Sequence, residues 1–183
     1  MRARSILLGG AAIVAIASAA IWFTSYDPSE FHGSGPIRDT GLFTYYRYRA
    51  PLGDIPLAIA GSYTLRFSGV PSEHMLLQLY VAGGSDSNRE LLQGLSTRLS
   101  VQIVDAHGIV LCSATGVPGG INTDRWTLMS GGYFAAFWHN DCSDIPFKRR
   151  TEYVLTVVIS DVDPRSPRLL LTATLEGGGI ELS

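Results

Sequence analysis

The chain has 183 residues, of which 46% are hydrophobic and 16% are charged, and its formal net charge is -2. This length supports one globular domain of about 150 residues with a short appendage, and it leaves little room for a second compact domain. The charge balance excludes the strongly basic surface that is typical of nucleic-acid-binding proteins, so we expect no nucleic-acid partner.

The first feature in chain order is an uncharged apolar run over residues 5–23, which follows Arg2 and Arg4. As a helix this run would be about 28 Å long, close to the hydrocarbon thickness of a bilayer. The two arginines predict an amino terminus in the cytoplasm and a remaining chain on the far side of the membrane. Small residues at positions 17–19 also permit signal-peptide cleavage. Residues 1–26 are therefore predicted to be a retained anchor or a signal peptide.

Both alternatives place the rest of the chain outside the cytoplasm. If residues 1–26 are retained, we expect the protein in the bacterial inner membrane with its domain in the periplasm. If this segment is cleaved, we expect a periplasmic or secreted protein. Residues 27–41 contain prolines, glycines and turn formers without apolar periodicity, so they are predicted to be a linker. Residues 42–183 are predicted to form the extracytoplasmic domain.

Alternation of apolar and polar residues with a period of two dominates this domain and predicts half-buried strands. The clearest patterns cover residues 62–68, 97–105 and 152–160. Other predicted strands cover residues 44–50, 75–82, 109–114, 125–129, 132–139 and 168–175. The stretch Asp105–Gly108 predicts a tight hairpin with a positive φ at Gly108. Short strands between turn-forming stretches predict an all-β fold, an antiparallel β-sandwich of jelly-roll or immunoglobulin-like topology.

The chain has two cysteines, Cys112 and Cys142. We predict that they form a disulfide, because disulfides persist outside the cytoplasm. A loop of this size stabilises a protein by about 3 to 4 kcal/mol in the chain-entropy estimate. An alternative makes Cys142 a nucleophile with His139 as its base and Asp141 or Asp144 as the orienting group. That alternative requires a thiolate, which an oxidised cysteine lacks.

Two groups of acidic side chains raise the question of a metal site. His139, Asp141 and Asp144 lie close in sequence, but they lack the paired spacings that are typical of zinc sites. Asp161 and Asp163 are either calcium ligands or ordinary turn residues, and the sequence does not decide between these roles. We expect no cofactor.

Aromatic side chains are concentrated between residues 126 and 139. Strand alternation turns Phe134 and Trp138 to one face and the neighbouring aromatic residues to the other, so that one set is core and the other is exposed. Exposed aromatic rings suit contacts with a protein or with a sugar ring. The candidate binding surface consists of Phe134, Trp138, Trp126 and His139.

A Tyr-x-Leu-x-Phe pattern lies at residues 63–67, and a Tyr-x-Leu-x-Val pattern follows at residues 153–157. This order of strands resembles small bacterial envelope β-sandwich domains of unknown function, over residues 55–175. The resemblance implies a fold and a location. It assigns no catalytic residue.

The sequence contains no motif that identifies a catalytic reaction. The leading prediction is therefore a non-catalytic binding or protein-interaction module that engages another envelope protein, as an accessory or immunity-type protein. Residues 5–23 would contact the membrane. One alternative is a carbohydrate-binding domain that stacks glycans on exposed aromatic rings. Another alternative is an envelope hydrolase that uses the His139 region.

Overall fold

A computed structural model describes residues 26–40, 46–82, 92, 94–118, 133–138, 140–166 and 168–178, with residues 133–138 described through their backbone pairing. These residues form the strands β1 (Arg38–Asp39), β2 (Tyr48–Pro56), β3 (Gly61–Ser68), β4 (His74–Ala82), β5 (Arg98–Asp105), β6 (Val110–Gly116), β7 (Tyr133–Trp138), β8 (Ile145–Pro146), β9 (Glu152–Ser160) and β10 (Leu170–Gly177). Short 3-10 turns lie at Pro28–Glu30 and Asn140–Cys142. Within these ranges, no helix is long and apolar enough to cross a membrane.

The strands form two antiparallel sheets. The first sheet has the order β1-β2-β10-β4-β7, and β8 pairs with the other end of the β4 edge. The second sheet has the order β3-β9-β5-β6. The prediction of an all-β fold with antiparallel sheets is therefore confirmed for the described residues. The predicted strand over residues 125–129 and the predicted segment over residues 1–25 lie outside them.

The inner faces of the two sheets share one hydrophobic core. In β9 every second side chain is buried, beginning with Tyr153 and Leu155. In β10 the buried apolar side chains are Leu171, Ala173 and Leu175. Because alternate residues of a strand point to opposite faces, the residues between them point outward from each sheet. This alternation fixes which side chains can form a surface site.

β2 differs from its predicted position, because the sequence indicated a strand over residues 44–50 and the structure has Tyr48–Pro56. Proline has no backbone N–H to donate to a neighbouring strand, yet β2 contains Pro51 and Pro56. The strand accommodates Pro51 beside an irregularity, where the pairing with β10 shifts register between Ala173 and Thr174. Such irregularities relieve the requirement for a donor at every second residue.

The segment predicted to be a linker packs on the domain instead. Phe31 and Ile37 are buried members of the core. Arg38 and Asp39 pair with β2 as its edge strand. Sequence periodicity missed this segment because its two apolar anchors are isolated among polar residues, and only the tertiary fold supplies their partners. The domain therefore includes residues 26–40 and is not limited to the chain from residue 42 onward.

The predicted disulfide between Cys112 and Cys142 is confirmed, and it joins the two sheets. Cys112 lies in β6, at the edge of the second sheet, and Cys142 lies in the turn between β7 and β8, at the edge of the first sheet. Both cysteines are buried. The bond therefore closes one side of the core, and Cys142 has no thiolate to act as a nucleophile.

Candidate functional site

The outer face of the first sheet contains a cleft of about 120 Å³, which we name the outer cleft. Its walls come from four adjacent strands, β1, β2, β10 and β4. The lining residues are Arg38, Arg49, Pro51, Tyr80, Thr172 and Thr174. Thr172 and Thr174 point outward because they alternate with the core residues of β10. The outer cleft is thus a product of sheet pairing between segments that are distant in the sequence.

A carboxylate lies buried against this face. Glu176 has an exposed fraction of 0%, although it belongs to the outward-pointing set of β10. The Tyr80 hydroxyl donates to Glu176 Oε2 at 2.7 Å, and Arg49 Nε donates to Glu176 Oε1. Arg49 and Glu176 are direct register partners across β2 and β10. The buried carboxylate therefore has donors for both of its oxygens.

These contacts fix the position of the Arg49 guanidinium. Its central carbon lies 5.6 Å from the centre of the Tyr80 ring, within cation–π range. The ring itself is only 4% exposed, so it supports the guanidinium rather than facing solvent. The Arg49 side chain remains partly exposed at 30%. Contacts with Glu176 and Tyr80 therefore fix the position of Arg49, and its side chain is partly exposed to solvent.

Burial governs the acid–base properties of this group of residues. Burial raises the pKa of Glu176, although the hydrogen bond from Tyr80 and the guanidinium of Arg49 act in the opposite direction. Burial, followed by the neighbouring Glu176 carboxylate, raises the pKa of Tyr80 far above its usual range. Tyr80 therefore stays protonated at neutral pH and acts as a hydrogen-bond donor.

The rim of the outer cleft offers further polar groups. Arg38 is exposed beside Arg49, its register partner, and makes no side-chain ion pair with any residue that the structure describes. The Thr172 hydroxyl donates to Asp54 Oδ1 at 2.6 Å. Two neighbouring guanidinium groups can bind a carboxylate or another oxyanion through paired hydrogen bonds.

The predicted aromatic surface falls largely outside what the structure describes. Trp126 and His139 lie outside the described residues. Phe134 and Trp138 belong to β7, where Phe134 is opposite Val81 and Trp138 is opposite Gln78. The β4–β7 register shifts between these two pairs, so uninterrupted alternation does not relate them. The aromatic surface stays a prediction.

The structure describes only some of the residues near Cys142 that the sequence suggested for catalysis. Asp144 Oδ1 accepts a hydrogen bond from His74 Nδ1 at 2.6 Å in an exposed contact. Both side chains are more than half exposed. Sequence reasoning missed this pair because its members are 70 residues apart. Among the described residues, no group of histidine, cysteine and acidic side chains is arranged to hold a metal ion.

Asp163 stabilises a loop in the structure. Its two oxygens accept from the backbone and side chain of Arg165 at 2.7 to 3.0 Å, and from Ser96 at 3.1 and 3.2 Å. The hydrogen bonds from Arg165 lower the pKa of Asp163 strongly. Asp161 instead lies 3.7 Å from Arg98 at the surface. The donors around Asp163 occupy the oxygens that a calcium ion would need, which favours the role of turn residues.

Comparisons with known proteins identify no family. No family model matches the chain, and no curated protein matches it. One solved structure that shows similarity is the insecticidal delta-endotoxin Cry8Ea1 from Bacillus thuringiensis, with a TM-score of 0.34 and 11% sequence identity. The similarity covers 69% of this chain and 19% of the toxin chain, so the chain spans about a fifth of the length of that protein.

Proposed function

We propose that this protein is a non-catalytic binding module of the bacterial envelope that recognises an acidic group of another envelope protein in the outer cleft. Residues 5–23 hold it in the inner membrane as a retained anchor, and the domain lies in the periplasm. The disulfide between Cys112 and Cys142 supports an oxidising compartment. The uncharged run and the two preceding arginines support the anchor and its orientation.

The strand order supports a jelly-roll sandwich rather than an immunoglobulin-like one. The long strands form the orders β2-β10-β4-β7 and β3-β9-β5-β6, and consecutive strands lie in opposite sheets except for the neighbours β5 and β6. Jelly rolls place eight strands in two such sheets, and many of them act as binding domains. Within this topology, the outer cleft is an opening on the outer face of the first sheet.

One observation carries the proposed binding role, namely the Arg49 guanidinium that buried Glu176 and Tyr80 hold at the outer cleft. A side chain that is fixed before binding loses little conformational entropy when a ligand arrives. Arg38 adds a second cation with no ion-pair partner among the described residues. An acidic side chain of a partner protein fits this pair because guanidinium groups match carboxylate geometry.

The geometry of the outer cleft favours a protein ligand over a stacked sugar. Sugar stacking needs an exposed ring face, and the Tyr80 ring is buried beneath Arg49. The carbohydrate alternative therefore depends on Phe134 and Trp138, and the hydrolase alternative depends on His139. Neither alternative gains support from the described contacts of the cleft.

The test uses the full-length protein in its membrane, with Arg38→Glu as the variant and Arg66→Glu as the matched control. Arg66 is also exposed, but it lies on β3 in the other sheet. Affinity capture from envelope extracts should recover the same partner with the wild type and Arg66→Glu, and should lose it with Arg38→Glu. Identical partners for all three proteins would refute a role for the cleft. Equal retention of the wild type and Arg38→Glu on an envelope polysaccharide would favour the carbohydrate alternative.

The mass of the protein isolated from its host tests the anchor separately. A retained anchor predicts a mass that includes residues 1–26, with the protein in the membrane fraction. Loss of these residues would establish the signal-peptide alternative and would leave the binding role of the outer cleft in place.

A further inference from the structure

The segment that follows the apolar run is attached firmly to one end of the domain. The Tyr26 hydroxyl donates to the Gly69 carbonyl oxygen at 2.7 Å, and its ring contacts the Tyr48 ring edge-on with centres 5.2 Å apart. Burial, followed by the nearby Glu30 carboxylate, raises the pKa of Tyr26 to about 12. Tyr26 is therefore a neutral, partly buried residue that attaches this segment to the domain.

A second set of contacts fixes the turn after Tyr26. Arg149 donates two hydrogen bonds to the Glu30 carboxylate, at 2.6 and 2.7 Å, and its guanidinium lies 5.5 Å from the centre of the Tyr26 ring. Phe31 is buried, and His32 bridges to Ser68 through the backbone. These contacts attach residues 26–32 to the domain.

These contacts also identify which end of the domain lies next to the apolar run. The Lys148 amide donates to the Tyr153 hydroxyl at 2.7 Å, and Tyr153 pairs with Asp105 at the last position of β5. The turn between β5 and β6 therefore belongs to the same end as Tyr26 and Arg149. We name this end the proximal end.

The proximal end has an exposed apolar tip. Ile109 is 58% exposed and Val110 is 51% exposed, at the turn between β5 and β6. Lys148 and Arg150 are exposed on the adjacent turn. Apolar side chains flanked by long cationic ones suit the interfacial region of a bilayer, where the ammonium and guanidinium groups can reach the headgroups.

We propose that the proximal end rests on the bilayer that holds residues 5–23, with Ile109 and Val110 in contact with the lipid interface. This inference depends on the membrane anchor of the proposed function. Only Thr24 and Ser25 lie between Phe23 and Tyr26, and even a fully extended chain spans only about 10 Å over these three residue steps. The attachment of Tyr26 thus brings the proximal end against the surface.

The orientation follows from this attachment and does not require anionic lipid. Carboxylates such as Glu30, Asp105 and Glu152 lie among the cations of the proximal end and offset their charge. We therefore expect the same orientation on phosphatidylcholine vesicles with and without an added anionic lipid. The opposite end of the domain, which contains the turn between β2 and β3, would lie about 30 Å from the membrane, since the strands have eight or nine residues.

The experiment compares Ile109→Cys with Ile59→Cys in full-length protein reconstituted into phosphatidylcholine vesicles. Ile59 is a matched control because it is also 58% exposed and lies in the turn between β2 and β3. Each new thiol carries a fluorophore, peptide mapping confirms the native disulfide, and some lipids carry a nitroxide on the headgroup. We expect quenching of most of the fluorescence at position 109 and little quenching at position 59.

The outcomes separate this orientation from the anchor itself. Co-flotation with the vesicles combined with equal quenching at the two positions would overturn the orientation and leave the anchor intact. Failure to co-float would overturn both. A disulfide-linked dimer of the unlabelled Ile109→Cys variant, together with an absence of lipid quenching in the labelled variant, would assign the tip to a second copy of the chain and would also overturn the orientation.

Discussion

At the scale of single residues, the buried carboxylate of Glu176 determines the shape of the outer cleft. Its Oε1 accepts a hydrogen bond from Arg49 Nε, and its Oε2 accepts a hydrogen bond from the Tyr80 hydroxyl. Removing the acceptor of a buried hydroxyl lowers the free energy of unfolding by about 1 to 3 kcal/mol. Glu176 therefore connects the stability of the first sheet with the geometry of the proposed binding surface.

We expect Glu176→Ala to lower the free energy of unfolding by about 1 to 3 kcal/mol, because the Tyr80 hydroxyl is left buried without its partner. Urea denaturation of the domain measures this loss. In a Tyr80→Phe background the same substitution should cost less, since no hydroxyl remains to be left unpaired. An equal cost in both backgrounds would contradict the role of this hydrogen bond.

Asp163 provides a prediction about pH. The hydrogen bonds from Arg165 lower its pKa in the folded state below the ordinary value of 3.8. A carboxylate with a lowered pKa stabilises the fold fully above the ordinary pKa, and this contribution is lost as the pH falls through the folded-state value. We therefore expect Asp163→Asn to be less stable than the wild type near neutral pH, with a difference that shrinks below about pH 4.

Denaturation curves across this pH range measure the difference. Asp161→Asn is the control, because Asp161 is exposed and lies 3.7 Å from Arg98, where an ion pair contributes little. Asn also tolerates the positive φ of 49° at this position. A difference between wild type and Asp163→Asn that is independent of pH would contradict the assignment.

At the scale of the elements, the segment that attaches the N-terminal side of the domain depends on a single glycine. Gly69 has a φ of +68°, and a Cβ atom there would lie 1.8 Å from the Glu30 carbonyl oxygen. Backbone this close cannot move aside cheaply, because Glu30 is also held by Arg149. Only glycine fits between β3 and this segment.

We expect Gly69→Ala to detach residues 26–31 from the domain and to raise their rate of proteolysis at least about tenfold, which corresponds to about 1.4 kcal/mol of local opening. Gly108→Ala is the matched control. Gly108 also has a positive φ, of +78°, but a Cβ atom there would meet nothing within 4 Å. The control should lose only about 1 kcal/mol of global stability from backbone strain, with residues 26–31 still protected. Equal protection in both variants would contradict the attachment.

The elements differ in how well sequence predicts them. The strands β3, β5 and β9 follow their predicted ranges to within one residue, because alternation is a local signal. The positive φ predicted at Gly108 is also confirmed. β1 and β8 contain two residues each, which is too short for any period to be visible.

The outer cleft illustrates what sequence alone leaves out. Arg49 and Glu176 are 127 residues apart, and only the pairing of β2 with β10 brings them together. The available signal was weak: Glu176 continues the outward-pointing series of Thr172 and Thr174 at the end of an alternating strand. The predicted surface instead followed aromatic residues that are close in sequence.

At the scale of the whole molecule, the disulfide and the shared core hold the two sheets together. The bond lies between the edge strand β6 and the turn that joins β7 to β8, with a sequence separation of 30. The disulfide adds to the stability that the core provides, because side-chain packing is the other interaction that holds these two sheet edges together. The opposite side of the domain is covered by β1 and the segment before it.

We expect the double variant Cys112→Ala with Cys142→Ala to lose about 3 to 4 kcal/mol of stability, because the unfolded chain regains the freedom that the cross-link removes. Equilibrium denaturation of the variant beside the oxidised wild type measures this loss. Reduced wild-type protein is the control, and it should match the variant within about 1 kcal/mol. Equal stability of all three proteins would show that the bond does not stabilise the fold.

The position of β10 has a consequence for biogenesis. β10 inserts between β2, near the start of the domain, and β4, so the first sheet stays open until β10 has been synthesised. A nascent polypeptide that lacks β10 offers two unsatisfied inner edges, which are prone to mispairing. Closure of the first sheet is therefore a late event in the synthesis of the domain.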